Sequence, residues 1–220
     1  MFAASEPFRI AIVAGVTVTK WTRAWQERRR DRPLEVAPTE AADQTAVLFG
    51  GDADVSFVRL PVQRDGLSVI RLYSELPVVV VSKEHPLAAR DTVTVADLVG
   101  ETPRTEPIAD AIDLVAAGVG VLLLPHSIAR QNARNDLVAL PITDAAETEI
   151  AIAWLADATT PDIEEFVGIV RGRTAASSRG AVVVSDKPAA KPQRAPSRNT
   201  KRAPSQKMPQ PDRGKKSRGR

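Results

Sequence analysis

The sequence predicts a two-lobed α/β protein followed by a basic extension. Three observations predict it. Short apolar runs rich in β-branched residues recur at 10–15, 78–81 and 121–124, as strands buried in a sheet require. Segments with helical spacing lie between such runs. Beyond Thr174 both patterns give way to Ala, Ser, Pro, Lys and Arg, which cannot bury enough apolar area to offset chain entropy.

Taken in order, residues 10–15 form a first strand. A helix follows, for which Thr17 or Thr19 is an available cap; Trp21 and Trp25 lie four apart on one face, and Arg28, Arg29 and Arg30 stand at its C-terminal end, where cations favour the dipole. Pro33 closes that unit. Residues 34–37 read as a second strand, 41–49 as a short helix stopped by Gly50 and Gly51, and 54–58 as a third strand. Strands at 67–73 and 78–81 follow.

The second lobe begins near Thr105, with a helix over 108–117 that Gly118 ends, a buried strand at 121–124 closed by Pro125, a helix over 127–134 and a strand at 137–140. Residues 149–155 alternate as a strand returning to a sheet. The last helix is well signalled: Thr160 as N-cap, Pro161 at the first position, Asp162, Glu164 and Glu165 in the positive first turn, and Arg171 and Arg173 near the end.

Composition excludes several functions. With no cysteine, thiol redox chemistry, disulfides and Cys-ligated metal are ruled out, and two histidines make a closed zinc site improbable, so no metal or cofactor is expected. His85 stands beside Pro86 and His126 directly after Pro125. Neither has a serine or acid at relay spacing, so no catalytic residue and no enzyme is expected. The N-terminal apolar run is strand-length and far short of a membrane span, which points to a cytoplasmic protein with no membrane partner.

Charge is divided along the chain. Residues 187–220 hold twelve of the 30 Lys and Arg and a single acid, Asp212; they carry +11 while 1–186 carry −8. The cations are Lys187, Lys191, Arg194, Arg198, Lys201, Arg202, Lys207, Arg213, Lys215, Lys216, Arg218 and Arg220. Spaced by Pro, Ala and Ser, they suit non-specific DNA or RNA binding by counterion release, or else a solubilising arm that folds back on the acidic body.

Three groups of residues carry a resemblance. The first is Arg9-Ile10-Ala11-Ile12 before a Thr-bearing loop, with Gln44, Leu48, Gly51 and Asp54 at characteristic spacing. The second is Leu76-Pro77 and 78–81 with His85-Pro86-Leu87-Ala88, then 93–98. The third is the run 114–125 with Gly118 and Gly120, which reads physically as helix, glycine turn and strand. In this order they resemble the effector-binding domain of LysR-type transcription regulators over about residues 8–172.

Residues 1–7 are expected to be a flexible N-terminus and 175–220, from their composition, a disordered tail. The resemblance implies a type II periplasmic-binding-protein fold, with lobe I about 8–82 plus a C-terminal return and lobe II about 100–155. It implies a small-molecule effector between the lobes, for which a carboxylate is the candidate, and side-by-side pairing with a second copy or a regulator. The site would use Val16, Thr17 and Val18 of the first loop, with Arg59 and Thr105 across the cleft. Thr17 could equally cap the helix, and Arg59 could be a solvated charge. This chain departs from the family in two ways: no winged helix-turn-helix precedes the first strand, so sequence-specific DNA reading is not expected from these residues, and a strand and helix are missing between Pro103 and Thr105, giving a reduced second lobe. Ala41 also replaces a hydroxyl that the family often places three residues before Gln44.

Overall fold

The structure, a computed structural model, describes residues 6–172. Its first sheet is built from β1 (Phe8–Val13), β2 (Leu34–Thr39), β3 (Val55–Arg59), β4 (Leu67–Glu75) and β8 (Thr148–Leu155), in the order β2-β1-β3-β8-β4. β1 pairs in parallel with β2 and β3, while β8 runs antiparallel to β3 and β4. Helices α1 (Thr19–Arg28) and α5 (Pro161–Val170) share one face, and the short α2 (Ala46–Phe49) belongs to the other. The expected helix over 41–49 is confined to its last turn, with residues 41–45 in turn conformation.

Aromatic packing fixes α1. Trp25 stacks on Phe8 with ring centroids 4.6 Å apart, and Trp21 stacks on Phe57 at 5.0 Å, so one helical face meets two adjacent strands. Burying each ring removes enough apolar surface to contribute roughly 2–3 kcal/mol. Arg29 ties the end of α1 to Asp162 and Glu165 at the start of α5. As the sequence indicates, Thr160 caps α5, its hydroxyl accepting from Ile163 N at 3.3 Å. The capping expected of Thr17 or Thr19 at α1 does not occur: Val18 is the N-cap, and it makes no side-chain cap hydrogen bond.

Motif residues in this half serve the backbone. The Gln44 amide accepts from Arg59 N at 2.7 Å and donates to Arg59 O at 3.1 Å, which anchors the end of β3. Asp54 accepts from Arg9 N at 2.7 Å and so locks the start of β3 to β1.

The second sheet contains β5 (Pro77–Ser82), β6 (Leu122–Pro125) and β7 (Leu137–Pro141), in the order β6-β5-β7 and antiparallel throughout. Residues 78–82 therefore belong to the second lobe, where the sequence places them in the first. Only Leu76 separates β4 from β5, and a single apolar run cannot report which sheet it enters. Conversely β8, inside the expected span of lobe II, lies wholly in the first sheet.

One face of the second sheet packs against α3 (Ile108–Ala116) and α4 (His126–Gln131), and the other against short 3-10 turns at Pro86–Ala89 and Val95–Leu98. The buried strand expected at 121–124 is found as β6, one residue later, and its Leu123 is 46% exposed because β6 is an edge strand whose outer face these turns only partly cover.

The chain crosses between the sheets twice. Leu76 makes the first crossing and residues 142–147 the second, and the two run side by side: Glu75 is the register partner of Thr148, and Ile142 N donates to Pro77 O at 3.0 Å.

Residues 102–104 run directly alongside Val121. Val121 N donates to Thr102 O at 2.9 Å, and Arg104 N donates to Val121 O at 2.8 Å. Gly120, at φ +75°, is required there, since a Cβ would press into the Thr102 carbonyl.

Candidate functional site: a cleft between the two sheets

The loop over 14–18 leaves β1 where the strand order turns back, with β2 on one side of β1 and β3 on the other. The carboxyl ends of such strands leave a crevice, and open α/β sheets bind ligands there. A cavity of about 460 Å³ occupies this position. From the first lobe, Thr17, Lys20 and Trp21 line it; from the crossing strand, Tyr73, Ser74 and Glu75; from the second lobe, His126, Ser127 and Arg130.

The two lobes touch at one side of the cavity. Gly15 N donates to Gln131 Oε1 at 3.0 Å, and the Gly15 backbone, at φ +92°, lies so close to Ser127 that a Cβ would overlap its hydroxyl. The Ser127 Oγ is buried and has no hydrogen-bond partner among the described residues. Across the crossing, His126 N donates to Leu76 O at 3.0 Å, which holds the start of α4 against the hinge.

Charge in the cleft is organised by one ion pair. Glu75 is 7% exposed and its Oε2 lies 3.0 Å from Arg59, whose guanidinium, 14% exposed, also donates to Ala14 O at 3.1 Å. Glu75 is thus compensated internally, leaving Lys20 and Arg130, on opposite lobes, as the lining cations without an anionic partner among the described residues. The Lys20 ammonium lies 4.8 Å from the centre of the Trp21 ring. Burial, reinforced by the neighbouring Glu75 carboxylate, pushes the Tyr73 phenol above its ordinary range, so it remains a hydrogen-bond donor near neutrality.

The expected site residues divide. Thr17 is exposed and lines the cavity. Val16 and Val18 point their side chains into the aromatic core under α1, leaving only their backbone on the loop, and Val16 N donates to Val13 O at 3.3 Å. Arg59 is not a solvated charge: its Nη2 donates to Glu75 and to Ala14 O, while its Nε is buried without a hydrogen-bond partner among the described residues. Thr105 is exposed on the second lobe, away from the residues that line the cavity, with its N–H on Glu106. Among lining residues absent from the expectation, Lys20 and Trp21 directly follow the loop and could have been found from it. Ser127 and Arg130 reach the site only because α4 docks on the loop, which no local signal announces. His126 was legible as a strand-end residue but not as part of a cleft.

The model of the LysR substrate binding domain family matches residues 4–103 and 101–175. The chain belongs to this family. The two matched pieces of the LysR domain meet at residues 101–103, where the chain runs directly onto Val121. Among curated relatives, the Hca operon transcriptional activator HcaR of Escherichia coli K12 is 25% identical over 179 residues, covering 67% of this chain and 60% of the relative. The regulator CatR of Pseudomonas putida is 28% identical over 152 residues, covering 54% of this chain and 52% of CatR. The chain thus spans between half and two-thirds of the length of these relatives. Among solved structures, the BenM effector binding domain with its effector benzoate superposes with a TM-score of 0.66 at 21% identity, covering 82% of this chain and 97% of that domain. That similarity establishes the two-lobed LysR effector-domain fold. Among the described residues, no helix is long and apolar enough to cross a membrane.

Proposed function

We propose that the chain is a cytoplasmic sensor domain that binds a small carboxylate-bearing effector in the interlobe cleft and contributes to transcription regulation through association with a second copy or a regulator. The observation that carries this is the convergence of Thr17 and Lys20 from one lobe with Ser127 and Arg130 from the other around a cavity of about 460 Å³, within the size range of small-molecule sites. Ser127 adds a hydroxyl that has no partner among the described residues and could turn to such a ligand. Trp21 and Tyr73 favour an effector with a flat apolar body. No enzymatic role is proposed. The sensor unit would comprise residues 8–174, with 175–220 as a separate extension, and the short path from residue 101 to 105 would mark the missing strand and helix of a reduced second lobe.

Benzoate is a reasonable first probe, since BenM's effector domain takes it. Titration of the full chain with benzoate and other small carboxylates should raise the melting temperature, and Lys20→Met should reduce the rise. If no carboxylate shifts melting at millimolar concentration, the proposed function fails.

A second reading is favoured by the charge of residues 187–220, with twelve cations and one acid. These residues lie outside those the structure describes. On this reading they add non-specific nucleic-acid affinity, tested by salt-dependent binding of duplex DNA.

A further inference from the structure

A second cavity, of about 210 Å³, lies on the far side of α4. Its walls are Val80 of β5, Leu124 of β6, Leu137 and Ala139 of β7, Ile112 of α3 and Ala129 of α4. All three strands of the second sheet and both its helices contribute, so the walls belong to the framework of the lobe. His126, Arg130, Ala133 and Ala139 at its rim are exposed, so the cavity opens to solvent over an apolar floor and a ligand can enter it. An apolar cavity of about 150 Å³ already admits benzene.

Charge defines the occupant further. His126 and Arg130 stand at this cavity and also line the cleft, so α4 is a wall common to both. Neither side chain makes a hydrogen bond or ion pair among the described residues. The other cation at the second cavity, Arg134, is held by Asp113 at 2.6 Å and Asp136 at 2.8 Å. Arg130 is thus the guanidinium left to receive a planar anion, which its fork binds in bidentate fashion.

We propose that this cavity is a second ligand site, one that takes a small apolar carboxylate of single-ring size with the ring among Val80, Ile112 and Leu137 and the carboxylate on Arg130. The site shares with the interlobe cleft the α4 residues His126 and Arg130, while its apolar walls are its own. Its occupancy fixes Arg130 and thereby alters the cation available to the cleft.

The test is protein-detected NMR of the full chain titrated with benzoate, following the methyls of Ile112 and Leu137 for this cavity and the Leu76 methyls with the Trp21 indole for the cleft. The expected result is saturable shifts at Ile112 and Leu137, lost in Ala139→Phe, which fills the cavity from an exposed position on β7, while the shifts at Leu76 and Trp21 persist. Ala133→Phe fills the same cavity from the end of α4 and serves if the first variant fails to fold. Shifts at Ile112 and Leu137 alone support the second site while counting against the cleft. Shifts at Leu76 and Trp21 alone overturn the second site and leave the proposed function standing. Shifts at Ile112 and Leu137 that survive both filling variants, or no saturable shift anywhere, also overturn it.

Discussion

Gly15 and Gln131, 116 positions apart, are joined by a 3.0 Å hydrogen bond that fastens the first loop of one lobe to the α4 helix of the other. The bond occupies an amide on the loop that borders the cleft. Replacing Gly15 by Ala puts a Cβ against Ser127 at a φ of +92°, a backbone region that costs a non-glycine residue roughly 1–3 kcal/mol. Gly15→Ala should therefore lower the melting temperature and enlarge the separation of the lobes in small-angle scattering. Ser127→Gly in that background should restore the separation but only part of the stability, because the backbone strain remains. An unchanged scattering profile in Gly15→Ala would show that this contact does not set the lobe spacing.

Thr17 is exposed at the cleft and caps nothing. Thr17→Val is expected to weaken a carboxylate effector by about 1 kcal/mol, the net value of one hydrogen bond, with melting of the free protein unaltered. Calorimetric titration reads the first quantity and thermal unfolding the second. Equal affinity in the two proteins would remove Thr17 from the site.

The Arg59–Glu75 pair gives a different pattern. Arg59→Met leaves the Glu75 carboxylate, 7% exposed, without its partner, and should destabilise the fold by up to about 3 kcal/mol. Adding Glu75→Gln removes the stranded charge and should recover a large part of that loss in urea unfolding. Additive losses in the double variant would mean that the two side chains act separately.

Asp97 should contribute to acid sensitivity. The Thr94 N–H at 2.9 Å, the Thr94 hydroxyl and Arg90 hold its carboxyl down to about 2. Since this folded value lies below the ordinary one of 3.8, the stabilisation is fully present above about pH 4 and is lost as pH falls through about 2. Asp97→Asn should melt earlier than the parent at pH 7 and converge with it near pH 2. A titration of Asp97 by NMR with a midpoint near 3.8 would contradict the assignment.

Ending the chain after Asp186 removes twelve cations and one acid, which turns a net charge of +3 into −8. The isoelectric point should move from basic to acidic. Any duplex-DNA binding seen at about 50 mM salt should disappear with the truncation, and in the full chain should fall steeply toward 200 mM. Absence of DNA binding by the full chain at low salt would leave the basic segment as a solubiliser or a protein-docking arm.

Most strands were legible because their apolar runs are short and bounded, as at 78–81, and α5 was legible because Thr160, Pro161 and the acids mark its start. Sheet membership was not legible, since β5 enters the second lobe after one residue, Leu76, that looks like any strand end. At the site, Thr17 follows from the position of its loop. The pairing of Arg59 with Glu75 is not legible because Glu75 lies on another strand, and Arg130 escapes notice because only the docking of α4 on Gly15 brings it to the cleft. Local pattern reports what a residue is disposed to do, whereas long-range pairing decides what it is left free to do.

The paired crossings between the sheets limit how the cleft can open. Because β4 and β8 remain paired as far as Glu75 and Thr148, past a register shift between Arg71 and Tyr73, and Ile142 binds Pro77 just beyond, the two passes act as a two-stranded torsion bar with its axis along the strands. Bending across that axis would break ladder hydrogen bonds, while twisting about it would not. An effector that rearranges the lobes should therefore produce a screw motion, and labels placed on α1 and α3 would report a change of angle larger than their change of distance.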